Sequence, residues 1–408
     1  MAIKLRPIEE EEFDHFLETA EVAFSDEIRP EHMDRFKRVL PAERTLAAFD
    51  GDTMVASAGA FDFTLTVPGA RVPAAGVTVV GVIPTHRRRG ILRSMMKRQL
   101  EDTRAANEAL AVLWASESPI YTKFGYGLAS EVASIDVQRH RAGMRFEPDH
   151  PGTTRLVSQE EALDVLPRVY DRVCESTPGM FARTRDWWEA HRLPDPEYRR
   201  QGAGPMFRVI VEIDGEPEGY GLYRARSSWD DDGVNVATLE VIEALATGHA
   251  AEHTLWSYLF NVDLISRVKA HFVPVDLPLK LFMSDRRHLR MRVHDGLWLR
   301  IVDVERALEA RSYAADGRLV FELIDAFCPW NAGVWELETT NGASKVRRSD
   351  ATPDMSLTTE ELAAVYLGGT TFAQLLRANR VQELAPGAVE VADDLFRTSK
   401  APWCPEIF

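Results

Sequence analysis

Cysteine is scarce: Cys174, Cys328 and Cys404 are the only three in 408 residues, and they lie far apart. That spacing argues against a disulfide framework and against a zinc site, so no metal is expected and each thiol reads as a small packing residue. No apolar run is long enough to span a bilayer. The N-terminus, Met1-Ala2-Ile3-Lys4-Leu5-Arg6, leads into Glu9-Glu10-Glu11-Glu12 rather than a signal-peptide core, which makes a cytoplasmic protein without a membrane partner the expectation. Positive charge is in deficit, with 48 Lys and Arg against 63 Asp and Glu for a net charge of −15. Sequence-independent nucleic-acid binding needs the opposite sign. A cationic small molecule would be steered inward, although acidity kept only for solubility accounts for the same number. Apolar residues are not lacking: at 45% they can fill substantial cores, and the length suggests about two to four domains.

The most informative stretch begins at Val77. Residues 77–82, Val-Thr-Val-Val-Gly-Val, read as a strand buried on both faces. They run into Ile83-Pro84-Thr85-His86-Arg87-Arg88-Arg89-Gly90, after which Ile91, Leu92, Met95, Met96, Gln99 and Leu100 set an apolar stripe on a helix of about four turns. A strand, a cationic turn and a helix start together form a pyrophosphate cradle, because the first N–H groups of a helix lack intrahelical partners and its dipole favours negative charge. Gly90 allows close backbone approach, and the arginines add bidentate donors. An arginine run is also what a solvated basic surface looks like, but the next segments favour the cradle. A second buried strand, Leu110–Trp114, ends at Ala115-Ser116-Glu117-Ser118-Pro119, where Ser116 or Ser118 can cap a short helix carrying Ile120, Tyr121 and Phe124 that Gly125 terminates.

Those residues resemble the GNAT acyl-CoA transferases, whose loop reads Arg/Gln-x-x-Gly-x-Gly/Ala. Arg87, Arg88, Arg89, Gly90 and Ile91 fit it, while Leu92 stands where the general pattern has a small residue. More specifically, residues 79–92, Trp114-Ala115-Ser116-Glu117 and Ile120-Tyr121-Thr122-Lys123-Phe124-Gly125-Tyr126-Gly127 are similar to the Eis subfamily of N-acetyltransferases, in which a bulky residue at that loop position is usual. The likeness extends over essentially the whole chain, including its last residue.

Three modules follow from pattern and likeness together. In residues 1–145, Ile3-Lys4-Leu5-Arg6 reads as a strand, the spacing of Phe13, Phe16, Leu17, Ala20 and Phe24 as an amphipathic helix, and residues 45–49 and 54–61 as strands joined by a tight hairpin at Asp50-Gly51. With the strand at Val77, its helix and the next strand, they predict a mixed sheet with helices on both faces. The order repeats in residues 146–300: a helix through Leu163, Leu166 and Val169, a strand at 207–213, a turn at Asp214-Gly215, and strands at 219–224 and 238–245. Ala246-Thr247-Gly248-His249-Ala250 follows without an arginine, so this copy lacks the charged half of a cradle and reads as a degenerate duplicate, structural or substrate-lining. Residues 301–408 change grammar, with half-buried strands at 319–325 and 333–338, a helix through Glu360, Leu362, Ala363, Tyr366 and Leu367, and another at 372–380. The expected fold is α/β (α+β): tandem GNAT-like mixed sheets followed, as the resemblance implies, by a sterol-carrier-like α+β C-terminal domain whose terminus reaches the active site.

The resemblance also assigns roles. It implies acetyl-CoA as co-substrate, held by Val80, Gly81 and Val82 on the strand, by Arg88, Arg89, Gly90, Ile91, Leu92 and Arg93 at the pyrophosphate, and by Ser116 and Glu117 at the opposing strand end. Tyr121 matches the family's general acid toward the coenzyme sulfur. A phenol near pKa 10 donating fully to a thiolate near 8.5 is uphill by roughly 2 kcal/mol, so hydrogen-bonded stabilisation is its minimum role. The tail Ala401-Pro402-Trp403-Cys404-Pro405-Glu406-Ile407-Phe408 is apolar and proline-stiffened, unlike a frayed end. In the Eis group the terminal α-carboxylate accepts the substrate proton, which here falls to Phe408; a merely structural clasp is the alternative. Asp26, Glu27 and Glu406 are candidate acids for binding a cationic amine, while His86 is read as surface and Tyr126 as packing. The expectation is an acetyl-CoA-dependent N-acetyltransferase acting on a polycationic amine, with an aminoglycoside as the acceptor and a homohexamer as the assembly that the resemblance implies. Protein lysines as acceptors, or a non-enzymatic acyl-CoA or lipid binder, are its rivals.

Overall fold

The computed structural model describes residues 3–26 and 30–408. Strands β1 (Lys4–Arg6), β2 (Thr45–Asp50), β3 (Thr53–Val67) and β4 (Ala70–Val82) pair antiparallel in that order, and β5 (Leu110–Trp114) joins β4 in parallel. Gly51, at φ 65°, makes the expected hairpin turn between β2 and β3. Both β3 and β4 are longer than their sequence pattern suggests. Pro73 reads as a strand breaker, yet it lies one residue before pairing with β5 begins at Ala74, where that side of β4 is still an edge.

Alternate residues of β3 serve opposite faces, as the pleat requires. Ala56 and Ala58 pack with Ile91 and Met95 of α3 (Ile91–Ala105), while Phe61 stacks with Phe63 and toward Phe36 on a second helix. That helix, Pro30–Val39, follows α1 (Phe13–Phe24), and neither its existence nor its contribution is evident from the sequence pattern.

The first sheet is not finished by its own contiguous segment. After β6 (Gly127–Leu128), the strand β7 (Glu131–Gln138) enters a second sheet with β8 (Thr153–Leu156), β9 (Phe207–Ile213), β10 (Glu216–Arg226), β11 (Thr238–Ala246), β12 (Arg267–Val273) and β13 (Arg292–Asp295), in the order β13-β7-β12-β11-β10-β9-β8. β14 (Leu297–Ile301) then returns to the first sheet, between β5 and β6. The sheets therefore do not divide at residues 145 and 300. All five residues of β14 are buried, Arg300 included, and a five-residue buried strand carries no mark of which sheet supplies its neighbours.

Two compact units result. One comprises the chain to Ser130, Leu297–Ser399 and Ile407–Phe408; the other comprises Glu131–Gly296 and Lys400–Glu406. In the second unit β11 and β12 run parallel, and the helix His249–Asn261 buries Leu255, Trp256 and Leu259 against Leu239 and Val268. The helix Gln159–Glu175 begins at Ser158, whose side chain accepts the Glu161 N–H at 3.1 Å.

The remainder of the first unit is the third sheet, ordered β17-β16-β15-β18-β19: β15 (Gly317–Ile324), β16 (Gly333–Thr340), β17 (Ala343–Arg348), β18 (Met355–Thr358) and β19 (Gln382–Glu383). Thr358 and Glu361 form a capping box at the start of the helix Thr359–Tyr366, which ends before Gly368 as its pattern predicts. The next helix, Phe372–Arg377, stops short of the expected residue 380. Arg300 of β14 is wholly buried and donates to Asp325, just past β15, at 2.6 Å.

Candidate active site

β4 and β5 pair only where Ala74-Ala75-Gly76 faces Leu110-Ala111-Val112. Beyond that point they separate, because β4 carries a bulge. Its register against β3 shifts between Ser57 and Gly59, and Val79 takes φ 47°, a left-handed conformation costly for a β-branched residue. Ser57 Oγ donates to the Val79 carbonyl at 2.8 Å and helps to hold it there. Strain of this kind concentrates at functional sites. Gly81 lies on the splayed end, where an added Cβ would stand 2.6 Å from that of Ala23; only glycine lets α1 come so close.

The turn after β4 ends at Gly90, at φ 81° with nothing within 4 Å of where a Cβ would be. Gly90 is the N-cap of α3 and offers no side chain, so the first N–H groups of that helix remain available to an anion. The arginines then part ways. Arg87 is structural, donating to the carbonyls of Ala23 at 2.7 Å and Val82 at 3.1 Å. Arg89 turns to Asp50 at 3.3 Å, which corrects the expectation that its guanidinium faces the pyrophosphate. Arg88 and Arg93 enter no ion pair among the described residues, and both border a cleft of about 810 Å³. Val80, Gly81, Val82, Gly90, Ile91, Leu92, Ser116 and Glu117 line the same cleft. His86 also borders it and approaches Asp50 at 3.4 Å, so it is not simply surface. An open helix start, two unpaired guanidiniums and a glycine with empty space beside it fit a diphosphate-bearing ligand.

Neither serine caps the helix α4 (Ser118–Tyr121): Ser118 is its first residue, and Glu117 holds the cap position without a side-chain hydrogen bond. Pro119 in the first turn pre-sets the backbone instead, and Gly125 ends the segment at φ 82°.

Tyr121 faces a second cavity, of about 350 Å³, that shares Phe24, Val80 and Ser116 with the cleft. Trp114, Phe36, Ile407 and Phe408 complete much of its wall. Burial alone pushes the Tyr121 phenol up to about 12, and its ring meets Tyr126 edge-on at 5.8 Å. Tyr126 is fully buried and its hydroxyl has no hydrogen-bond partner among the described residues, in keeping with a packing role. The Phe408 ring docks edge-on against Phe63 at 4.8 Å and Phe61 at 6.4 Å. Gly76 makes this possible, since an added Cβ there would be 2.3 Å from the Phe63 ring. The fold thus brings Tyr121 and the chain end to one cavity.

The candidate acids fare differently. Asp26 is exposed beyond α1, where Phe24 and Ser25, not Asp26, supply the cleft wall; Glu27 lies outside the described residues. Glu406 needs correction as a substrate-binding acid. Its carboxylate is buried in the second unit, where it accepts from Trp187 Nε1 at 3.0 Å and pairs with Arg183 at 2.9 Å. Arg183 in turn meets Glu243 at 2.7 Å, which Arg192 approaches at 2.8 Å and the Tyr220 hydroxyl at 2.6 Å. A glutamate inside an apolar tail is buried with that tail, and a buried carboxylate needs cations. Burial would raise Glu243, but Arg183 and Arg192 prevail and hold it down at about 2. Among the described residues no three His, Cys, Asp or Glu side chains gather as a metal-holding group, and no helix is long and apolar enough to cross a membrane.

Sequence reasoning missed Phe24, Phe36, Trp114 and Ile407 as cavity walls, and Phe61 and Phe63 as the seat of the chain end. Odd-numbered Phe61, Phe63, Leu65 and Val67, followed by Pro68-Gly69, carry the period-two signal that would have extended β3 and placed the two rings on one face.

Comparison with known proteins agrees with this geometry. Residues 4–129 and 179–301 each match an acetyltransferase (GNAT) domain family, and residues 304–405 a sterol carrier protein domain. An uncharacterized N-acetyltransferase of Streptomyces avermitilis is 43% identical over 93% of this chain and 92% of its own. The N-acetyltransferase Eis of Mycobacterium tuberculosis is 32% identical over 89% of each chain. The crystal structure of Eis1 from Mycobacterium abscessus superimposes with a TM-score of 0.85 over 100% of both chains, at 32% identity.

Proposed function

The chain belongs to the Eis family of GNAT N-acetyltransferases, and on that footing we propose that it moves an acetyl group from acetyl-CoA to a primary amine of a polycationic small molecule, an aminoglycoside, by direct attack. The observation that carries this reading is the meeting of Tyr121 and Phe408 in one cavity that shares walls with the cleft at the start of α3. Bound acetyl-CoA supplies the activated thioester. The α3 N-terminus, Arg88 and Arg93 hold its diphosphate, and the backbone of Val80 to Val82, released from pairing with β5, offers amide dipoles to the acyl and pantetheine groups. Tyr121 donates its O–H toward the sulfur. The terminal carboxylate of Phe408 anchors the incoming amine and takes its proton. A carboxylate near 3.5 facing an ammonium near 10 is mismatched by about 6 units, so the largely apolar cavity must narrow that gap by desolvation.

The acceptor class and a homohexameric assembly are carried over from the Eis likeness, and a net charge of −15 supports steering of a polycation. The activity is assigned to the cytoplasm, where acetyl-CoA is supplied. The test is release of CoA thiol from acetyl-CoA in the presence of kanamycin. Thiol release that depends on the amine supports transfer, and binding of acetyl-CoA without release would reduce the protein to a binder.

A further inference from the structure

Arg93, on the first turn of α3, meets an aromatic side chain from the third module of the same unit. Its guanidinium carbon lies 5.1 Å from the centroid of the Phe327 ring. Phe327 belongs to the segment after β15, in the sterol-carrier-like module, and also meets the Phe124 ring at 5.0 Å. The ring is 8% exposed, and its loop is firmly fixed. Asp325 Oδ1 accepts the N–H groups of Phe327 at 3.2 Å and Cys328 at 2.9 Å, while Oδ2 accepts from buried Arg300 at 2.6 Å. At the other end of α3, Arg104 lies over the Trp330 ring at 5.1 Å, and Trp330 Nε1 donates to the Val302 carbonyl at 2.9 Å. The helix that heads the cleft is therefore gripped by this loop at its first and last turns.

We infer that Phe327 is a positioning residue for coenzyme binding: its ring face holds the Arg93 guanidinium at the cleft, so the sterol-carrier-like module is a working part of the diphosphate grip. A long arginine side chain at an exposed helix start samples many rotamers, and binding an anion with it costs the entropy of fixing one. A cation–π platform that already restricts the guanidinium reduces that cost without competing for the anion, since the ring carries no charge. An acidic partner in the same place would hold Arg93 as firmly but cancel its charge, as Asp50 does for Arg89.

The inference rests on the coenzyme reading of the cleft, and calorimetric titration of full-length protein with acetyl-CoA separates the two. Phe327→Leu stays apolar and fills most of the space but removes the ring face, and is expected to weaken acetyl-CoA about two- to fivefold, the range of an exposed cation–π contact. Phe327→Tyr should bind as wild type does. In an Arg93→Ala background Phe327→Leu should have no further effect, because there is no guanidinium left to hold. Wild-type affinity in Phe327→Leu, or an equal loss in the Arg93→Ala background, would overturn the inference while leaving the cleft reading intact. No binding of acetyl-CoA by folded wild-type protein would overturn both.

Discussion

Tyr121 is a phenol kept neutral by its surroundings. Pushed up to about 12 by burial, it stays protonated through the working pH range, and complete transfer of its proton to a thiolate near 8.5 is uphill by more than 3 units, roughly 5 kcal/mol. Hydrogen-bond donation to the departing sulfur is the role it can fill at once. Tyr121→Phe should lower turnover at least about tenfold, equivalent to about 1.4 kcal/mol, with acetyl-CoA affinity nearly unchanged; steady-state rates and calorimetry together check this, and an unaltered rate would remove Tyr121 from the mechanism. Because its pKa is raised, any loss of activity between pH 8 and 10 should persist unchanged in shape in that variant. Phe408 calls for a different probe, since its side chain packs and its carboxylate is proposed to act. A few residues added after Phe408 should cripple transfer, and full activity of a C-terminally extended protein would dismiss the carboxylate. The place of Tyr121, on the short helix beside the cavity, was legible from its flanking motif. The seat of Phe408 was not, because a terminal residue has no neighbours in sequence that reveal its neighbours in space.

Among the elements, β4 decides the geometry of the cleft. The valine-rich run announced a strand and Gly90 the turn, and both are present, but the strand begins at Ala70 and is only half-buried from Val79 to Val82. The bulge was not legible. Val79 is among the residue types least suited to φ 47°, and it is held by Ser57 on the neighbouring strand, a long-range contact that no local pattern encodes. Gly81 tests this element. Gly81→Val would drive side-chain carbons into Ala23, and α1 must shift or the splayed strand end must close. Overpacking of this kind costs about 1–3 kcal/mol, which thermal unfolding would register. Acetyl-CoA affinity should fall with it, and a variant of native stability and native affinity would show that Gly81 is not pressed between strand and helix.

On the scale of the whole chain, the tandem repeat was legible because helix, hairpin and strand recur in the same order, and residues 246–250 of the second copy carry no arginine. What the second unit does with the chain end was hidden. Residues 400–406 fold into it, and Glu406 joins a buried cluster with Arg183, Glu243 and Arg192. Removing Arg183 leaves two buried carboxylates to share Arg192, so Arg183→Met should destabilise the protein by about 3 kcal/mol in denaturant titration. The pH dependence follows in sign. Glu243 sits at about 2 in the folded state, below the roughly 4.3 of an unfolded glutamate, so its contribution is present above about pH 4.3 and disappears as the pH falls toward 2. Melting temperatures measured down that range should drop more steeply for the wild type than for Arg183→Met.

The interleaving of β7 and β14 has a consequence for how the protein is made. As the polypeptide leaves the ribosome, the residues from Val80 to Glu117 proposed to hold the coenzyme emerge early, yet β5 waits for its neighbour until residue 301 has been synthesised. A nascent chain of half the final length therefore carries an unsealed hydrogen-bonding edge, open to strangers as much as to its own β14. Translation arrested near residue 145 should yield an insoluble product, and adding a separately made 297–301 peptide should restore part of its solubility.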